Sequence, residues 1–334
     1  AAVQDANHQI NARGQASDDF KGMGTTVSAL ALLPEGAVSA HVGDSRTYRL
    51  RAKRLEQLSF DHSLVWELRA ARHLSEDQVP SFIPKNVITR SLGPNPDVQV
   101  DLEGPFPIQV GDTFLICSDG LSGPVEDEEI GTILGCLPPD EAVRALVDLA
   151  NLRGGPDNIT VVVARVTGPD LAQDRAAPAG RSRAGAPRRP IPPALWAVLG
   201  VSALGAIGSG SVGYVLPALV CLAVTVAAGI AALARRYGGV QPVDEFDGRP
   251  LGKGPYTSCD CKADAGFVER LVDLAHQLRD AAIQEAWEID WSHFNGHHDR
   301  AVAAAMASDY ETAVREHCHA ISFMVDQLKH QRGG

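Results

Sequence analysis

The sequence predicts an α+β fold for its first half, followed by a hydrophobic helical hairpin and an α-helical tail. Three observations support this prediction. Short apolar runs separated by turns alternate with helical patterns from Met23 to Val166. No charged residue or histidine occurs from Pro190 to Ala234, and apolar residues recur at helical spacing after residue 263. We therefore expect five segments: an α+β domain at 1–168, a Pro/Ala/Arg-rich linker at 169–192, the hairpin at 193–235, a linker at 236–262 and a helical module at 263–332.

The first segment opens with a meander of short strands separated by polar turns. Residues 113–117 form a nearly continuous apolar run, which is typical of a strand buried on both faces. The expected strands are 25–33, 37–42, 45–50, 55–60, 98–102, 113–117 and 159–166. The expected helices are one before Met23 and others at 61–72, 126–134 and 140–151.

The hairpin prediction depends on the uncharged stretch, which is too long for one bilayer crossing of about 20 residues. Gly and Ser residues at 208–211 would make a tight reversal between two helices. Arginines flank both ends and place both in the cytoplasm. We therefore predict a multi-pass protein of the cytoplasmic membrane, with the lipid bilayer as a partner and with cytoplasmic N- and C-terminal parts. The alternative is a buried Ala/Gly-rich helix pair in a water-soluble protein.

The composition favours a cytoplasmic protein that does not bind nucleic acid. The chain has 30 basic and 41 acidic residues, and its net charge of −11 would repel a phosphate backbone. The 6 cysteines are scattered, as expected in a reducing compartment. Cys259 and Cys261 are separated by one residue, which is too short for a CxxC metal or redox motif.

The tail at 263–332 carries polar residues that could be drawn as a zinc site, namely His293, His297, His298, His317, Cys318 and His319. Two features argue against it. Gly296 is expected to separate two helices, and His317 and His319 would face different sides of one helix. Polar side chains on a helix surface are the favoured interpretation. Whether the tail binds a protein partner or only pairs helices stays open.

Three aspartates stand at the ends of predicted strands. Asp44 follows Gly43, Asp119 follows the buried run at 113–117, and Asp157 precedes the last strand. Binding groups commonly lie on loops that a rigid sheet positions. Carboxylates brought together raise one another's pKa unless a cation neutralises them, and oxygen ligands favour Mg²⁺ or Mn²⁺. Aspartate beside glycine is also common in ordinary turns, and spacing alone does not show that the three converge.

Six sequence blocks occur in an order that resembles the metal-dependent protein phosphatase family (PPM, protein phosphatase type 2C), especially its bacterial members. The blocks are MGTT at 23–26, HVGDSRTYRLR at 41–51, DHSLV at 61–65, NVITRSLG at 86–93, SDGL at 118–121 and GPDNIT at 155–160. The resemblance implies two antiparallel sheets in a sandwich flanked by helices. It also implies that residues 68–84 form the mobile flap beside the active site.

The resemblance further implies a metal centre of two or three Mn²⁺ or Mg²⁺ ions in the complete domain. Asp119 and Asp157 would be ligands of a dinuclear site, and Asp44 would bind a third ion together with Asp119. The substrates would be phosphoserine and phosphothreonine proteins, hydrolysed by a metal-activated water. His62 is expected to be structural, and Arg46 is expected to pair with a carboxylate rather than with phosphate.

One departure from the family concerns the residues before Met23. The family's first strands carry a phosphate-binding Arg and further acidic ligands, and no such block is present here. The chain also opens without Met, so we interpret it as N-terminally truncated, with a sandwich incomplete at its N-terminus. Metal affinity and catalysis of this chain itself are then expected to be lost. We thus predict a membrane-anchored Ser/Thr phosphatase, and the alternative is a catalytically inactive phosphatase-like protein that binds phosphoproteins or scaffolds a membrane complex.

Overall fold

The computed structural model describes residues 1–72, 83–84, 87–169 and 250–332. All of these belong to one compact unit. The hairpin predicted at 193–235 and most of the two predicted linkers lie outside the described residues, as does most of the predicted flap at 68–84. None of the helices that the structure describes is both long and apolar enough to cross a bilayer.

Eight strands within the described residues form two antiparallel sheets, which confirms the predicted α+β class. The strands are β1 (Val27–Leu33), β2 (Gly36–Val42), β3 (Arg46–Arg51), β4 (Arg54–Gln57), β5 (Asp101–Phe106), β6 (Thr113–Cys117), β7 (Val161–Arg165) and β8 (Thr257–Asp260). The smaller sheet has the order β1-β2-β5, and the larger has the order β7-β6-β3-β4-β8. Every pairing is antiparallel.

An apolar cluster joins the two sheets. Its members come from β2, β5, β6 and the segments that follow β4, β5 and β7, and they are Ala37, Leu58, Phe106, Ile108, Phe114 and Val166. Leu30 and Leu32 of β1 pack against it. This is the arrangement expected of a sandwich, because each sheet buries one face against the other.

The described helices are α1 (Ala2–Ala16), α2 (Leu64–Arg72), α3 (Asp119–Ser122), α4 (Asp127–Cys136), α5 (Pro139–Leu152), α6 (Ala265–Gln284), α7 (Trp291–Met306) and α8 (Tyr310–Arg332). A capping box between Glu126 and Glu129 begins α4, and Pro139 occupies the first turn of α5. Both helices pack on the larger sheet through a second apolar cluster, which also includes residues of α6, α7 and α8. The C-terminal helices therefore share one core with the larger sheet.

The structure corrects several predicted bounds. Residues 257–260, predicted as linker, form β8, which pairs with β4 at the edge of the larger sheet. A strand predicted at 98–102 lies instead at Asp101–Phe106. Gly296 does not end a helix, since α7 continues through it to Met306. Glycine costs a helix interior only about 1 kcal/mol, and Phe294 and Ala301 repay that by their burial.

Candidate functional site

Asp44, Asp119 and Asp157 line one cavity of about 400 Å³, which we call the acidic cavity. The structure thus brings together the three side chains that the sequence singled out. Asp44 is half-buried, while Asp119 and Asp157 are exposed. The other lining residues are Arg46, Asp61, Ser63, Val65, Trp66, Arg69, Gly120, Ser122, Gly123 and Pro156.

The turn that carries Asp44 depends on the preceding glycine. Gly43 has a φ of +120°, a conformation that L side chains rarely adopt. A Cβ added at this position would also overlap the side chain of Thr26. Only glycine therefore fits at the turn between β2 and Asp44.

Two buried histidines hold the same turn by hydrogen bonds to Gly43. Its backbone N–H donates to Nδ1 of His62 at 2.9 Å, so Nε2 of His62 carries the proton and donates to Asp101 Oδ2 at 2.9 Å. Nε2 of His41 donates to the Gly43 carbonyl at 2.8 Å, and its Nδ1 accepts from Ser28 Oγ at 2.8 Å. The structural role predicted for His62 is confirmed by these contacts.

Ser118 brings Asp119 and Asp157 to the same place. Its hydroxyl donates to the Asn158 carbonyl at 3.0 Å and accepts from the Thr160 N–H at 3.0 Å. The backbone of Ser118 also donates to the Thr160 carbonyl at 3.1 Å. Because Asp119 begins α3 directly after Ser118, these bonds tie it to the loop that carries Asp157.

The electrostatics of the acidic cavity favour a cation. Burial raises the pKa of Asp44, and the charges of Asp119 and then Asp157 raise it further, so both neighbouring carboxylates repel the charged form of Asp44. Their oxygen atoms are not all within 4.8 Å of one another, since the only such acidic or histidine group in the described ranges lies elsewhere. The donor set consists of hard oxygen ligands around an open space, and it fits Mg²⁺ or Mn²⁺.

Arg46 is held by carboxylates, as predicted. Its Nε donates to Asp61 Oδ2 at 2.8 Å, and its Nη1 lies 3.5 Å from Asp127 Oδ1. Burial nevertheless raises the pKa of Asp61 to about 6, because Arg46 and Gln57 offset only part of the cost of removing the carboxylate from water.

Three residues that the sequence motifs did not identify as site residues also line the acidic cavity, namely Asp61, Trp66 and Arg69. The guanidinium of Arg69 lies over the Trp66 ring, 5.2 Å from its centroid. The two residues stand three apart on α2, a spacing that places side chains on one helix face. The helical pattern predicted at 61–72 could therefore have indicated that one face of this helix carries both.

The prediction that the tail histidines and Cys318 are polar side chains on a helix surface is wrong for His317 and Cys318, which are buried, whereas His293 is exposed and His297, His298 and His319 are half-buried. His297 and His319 line a second cavity of about 430 Å³, which we call the histidine cavity, and each has a possible ligand atom within 4.8 Å of a carboxylate oxygen of Glu316. His317 faces the other way, as predicted, and is completely buried near His298. Neither ring nitrogen of His317 has a hydrogen-bond partner among the residues that the structure describes. His293 and His297 lie on one helix, because Gly296 does not break α7 as predicted.

A scan of protein-family models found no match to this chain. The chain is 44% identical over 162 residues to a putative protein phosphatase 2C-type of Streptococcus pyogenes, covering 48% of this chain and 65% of that protein. It is 39% identical over 158 residues to the protein phosphatase PhpP of Streptococcus pneumoniae, covering 47% of this chain and 63% of that protein.

Among solved structures, the catalytic domain of the serine/threonine protein phosphatase PstP in complex with two manganese ions is 35% identical, with a TM-score of 0.44. The match covers 50% of this chain and 69% of that one. The chain spans less than two thirds of the length of the two curated relatives named above. Over about half of its own length the chain is thus similar in sequence to bacterial PP2C-type serine/threonine phosphatases, which confirms the resemblance that its motifs predicted.

Proposed function

We propose that this protein is a metal-dependent phosphatase of phosphoserine and phosphothreonine proteins, with its reaction centre in the acidic cavity. The observation that carries the proposal is the convergence of Asp44, Asp119 and Asp157 from three separate strand ends on one cavity. The similarity to proteins named PP2C-type phosphatases supports the choice of reaction.

The three aspartates are the residues that would hold the metal ions. Burial and like charges raise the pKa of Asp44, and the charge of Arg46 offsets only part of this effect, so a divalent cation would relieve the remaining repulsion. A bound Mn²⁺ or Mg²⁺ supplies an activated water and neutralises charge on the phosphoryl group. Asp119 and Asp157 are exposed to the cavity, so both can reach an ion that enters from solvent.

The remaining residues of the cavity position the aspartates and shape the space for a substrate. Gly43 and its two histidine partners fix the direction of Asp44, and Ser118 fixes the distance between the loops of Asp119 and Asp157. Arg46 forms ion pairs with Asp61 and Asp127, so we expect its guanidinium to stabilise the cavity wall rather than to bind the substrate phosphate.

The test is Mn²⁺-dependent phosphate release from phosphoserine and phosphothreonine peptides by the protein translated from the complete natural reading frame. Asp119→Asn should lower kcat/KM by about 100-fold, the scale of losing one charge-stabilising group at a reaction centre. Asp97→Asn is the matched control, because its side chain is 96% exposed and lies outside the cavity. Equal activity of Asp119→Asn and wild type would overturn the assignment.

The same experiment separates the catalytic proposal from the scaffold alternative. An inactive phosphatase-like protein would release no phosphate with any metal, yet it would bind the phosphopeptides. Chelation of metal should abolish phosphate release by an enzyme and leave peptide binding by a scaffold largely intact. The alternative is tested by fluorescence anisotropy with labelled phosphopeptides and their unphosphorylated counterparts.

We further propose that residues 193–235 anchor the protein in the cytoplasmic membrane. The support is the sequence alone, with no charge or histidine from Pro190 to Ala234 and arginines on both sides. The wild-type protein should stay in the membrane fraction after carbonate extraction, and a variant lacking 190–236 should not. Sedimentation of that variant with membranes would contradict the anchor. We propose separately that the C-terminal helices bind a protein partner.

A further inference from the structure

The histidine cavity carries a group of side chains that the proposed phosphatase activity does not use. His297 comes from α7, and Glu316 and His319 come from α8, where their spacing of three residues puts them on one face. One ligand atom of each lies within 4.8 Å of the others, and no other such trio occurs in the parts of the chain that the structure describes. All three side chains are partly buried.

A neighbouring carboxylate orients one of these ligands. Nε2 of His319 lies 2.7 Å from Oε2 of Glu141 on α5. This contact leaves Nδ1 of His319 as the ring nitrogen that can bind a metal ion. A carboxylate that holds one nitrogen of a histidine while the other binds metal is the common second layer of protein metal sites. Glu141 also lines the cavity, together with His293.

The hydrogen bonds around His297 cannot all be satisfied by the chain. Its Nδ1 lies 2.7 Å from Glu316 Oε2 and 2.8 Å from Arg300 Nη2. An imidazole nitrogen either donates one proton or accepts one, so it cannot serve the carboxylate and the guanidinium together. Arg300 supplies the positive charge next to Glu316 at 2.9 Å, but its side chain is 56% exposed and free to turn toward solvent.

We propose that His297, Glu316 and His319 bind a transition-metal dication of the Zn²⁺ class at the wall of the histidine cavity, which the two histidines line. Two imidazoles and one carboxylate are the donor set that Zn²⁺ and its neighbours prefer over Mg²⁺, and a water would complete the coordination. The ion replaces the guanidinium of Arg300 as the cation beside Glu316. It thereby links α7 to α8 and, through Glu141, to α5 of the phosphatase-like region.

The proposal is tested by titrating Zn²⁺ into the full chain, purified with detergent, in competition with a chromogenic chelator. Wild type, His8→Gln and Asp119→Asn should bind one Zn²⁺ with the same affinity, whereas His297→Gln and His319→Gln should bind it at least about tenfold more weakly. His8 is the control because its side chain is 57% exposed on α1, and Asp119→Asn excludes binding in the acidic cavity. Equal affinity of wild type and His297→Gln would overturn the proposal, and so would a wild type that takes up no Zn²⁺.

A second variant avoids ambiguity from misfolding. Arg300→Gln keeps all three ligands and removes the competing cation, so its Zn²⁺ affinity should rise by about threefold or more. A purely structural hydrogen-bond network would give no such gain, because removing Arg300 would only loosen it. Co²⁺ added to wild type should show the intense visible bands of four-coordinate geometry, and their persistence in His319→Gln would contradict the site.

Discussion

The acidic cavity and the histidine cavity hold their polar side chains in different ways. In the acidic cavity, three strand ends position three like charges, and the backbone turn at Gly43 and the bridge through Ser118 keep them there. In the histidine cavity, two helices present groups that bind one another, with His297 and Glu316 2.7 Å apart. The first arrangement is rigid before any ion arrives, whereas the second is held by contacts that an ion must replace. We therefore expect the two cavities to respond differently to the same kinds of change.

The largest effect should come from the backbone of the acidic cavity. Gly43→Ala places a Cβ against Thr26 at a φ of +120°, and strain and overlap together should lower the free energy of unfolding by about 3 kcal/mol. Gly111→Ala is the control, because its φ of +93° is similar and a Cβ there meets nothing within 4 Å. That variant should lose only about 1 kcal/mol.

Urea unfolding of both variants measures this difference, and zinc titration sharpens the comparison. Gly43→Ala should leave Zn²⁺ binding by the histidine cavity unchanged if helices alone form that cavity. Equal destabilisation by the two alanines would show that the turn before Asp44 is not the constraint that positions it.

A smaller effect concerns the buried histidine behind the acidic cavity. Burial, followed by the nearby His62, lowers the pKa of His41 to about 4, although its bonds to Gly43 and the charge of Asp101 act in the opposite direction. The unfolded chain, with a pKa near 6.5, therefore binds this proton first as the pH falls. Stability is lost between those two values, by at most about 1.4 kcal/mol per pH unit.

Comparison of wild type with His41→Gln isolates this contribution from the other titrating groups. Urea midpoints measured from pH 7 to pH 5 should fall less steeply in His41→Gln than in wild type. Parallel slopes would mean that His41 is not the group whose protonation costs stability.

The smallest expected effect is a difference in sign between leucine substitutions at two buried histidines, measured as the change in the free energy of unfolding. His41 has partners on both ring nitrogens, whereas His317 is fully buried and has a partner on neither. His317→Leu should therefore raise the free energy of unfolding at neutral pH by about 1 kcal/mol, because it removes two unpaired polar atoms from the core. His41→Leu should lower it, since the hydroxyl of Ser28 and the carbonyl of Gly43 each lose one buried hydrogen bond. Thermal melting of both variants checks the opposite signs.

Sequence patterns predicted most of the larger sheet and missed its last strand for a physical reason. Residues 113–117 were predicted within the observed bounds of β6, because a strand buried on both faces is apolar throughout. β8 has the sequence TSCD, which carries no alternating apolar pattern. β8 forms because β4 offers an edge with which it can pair, and in that pairing Leu55 lies opposite Cys259.

The same distinction holds for the two cavities. Asp44, Asp119 and Asp157 could be selected from the sequence, because each stands at a strand end beside residues that shape a loop. That they line one cavity is a property of the sheet order and of the bonds made by Ser118. His297 and His319 were considered as zinc ligands and rejected, because a helix break was predicted at Gly296. Glu316 was not considered, because only the packing of two helices brings it beside both histidines.

Local periodicity and short ordered blocks were enough to predict the α+β class, the resemblance to metal-dependent phosphatases and the three aspartates. Other features depend on tertiary contacts. The C-terminal helices share a core with the larger sheet, and Arg46 forms ion pairs with Asp61 and Asp127. Two histidines of the tail, His297 and His319, lie beside Glu316. Those outcomes follow from contacts between residues distant in the chain, and no local pattern encodes which distant surfaces meet.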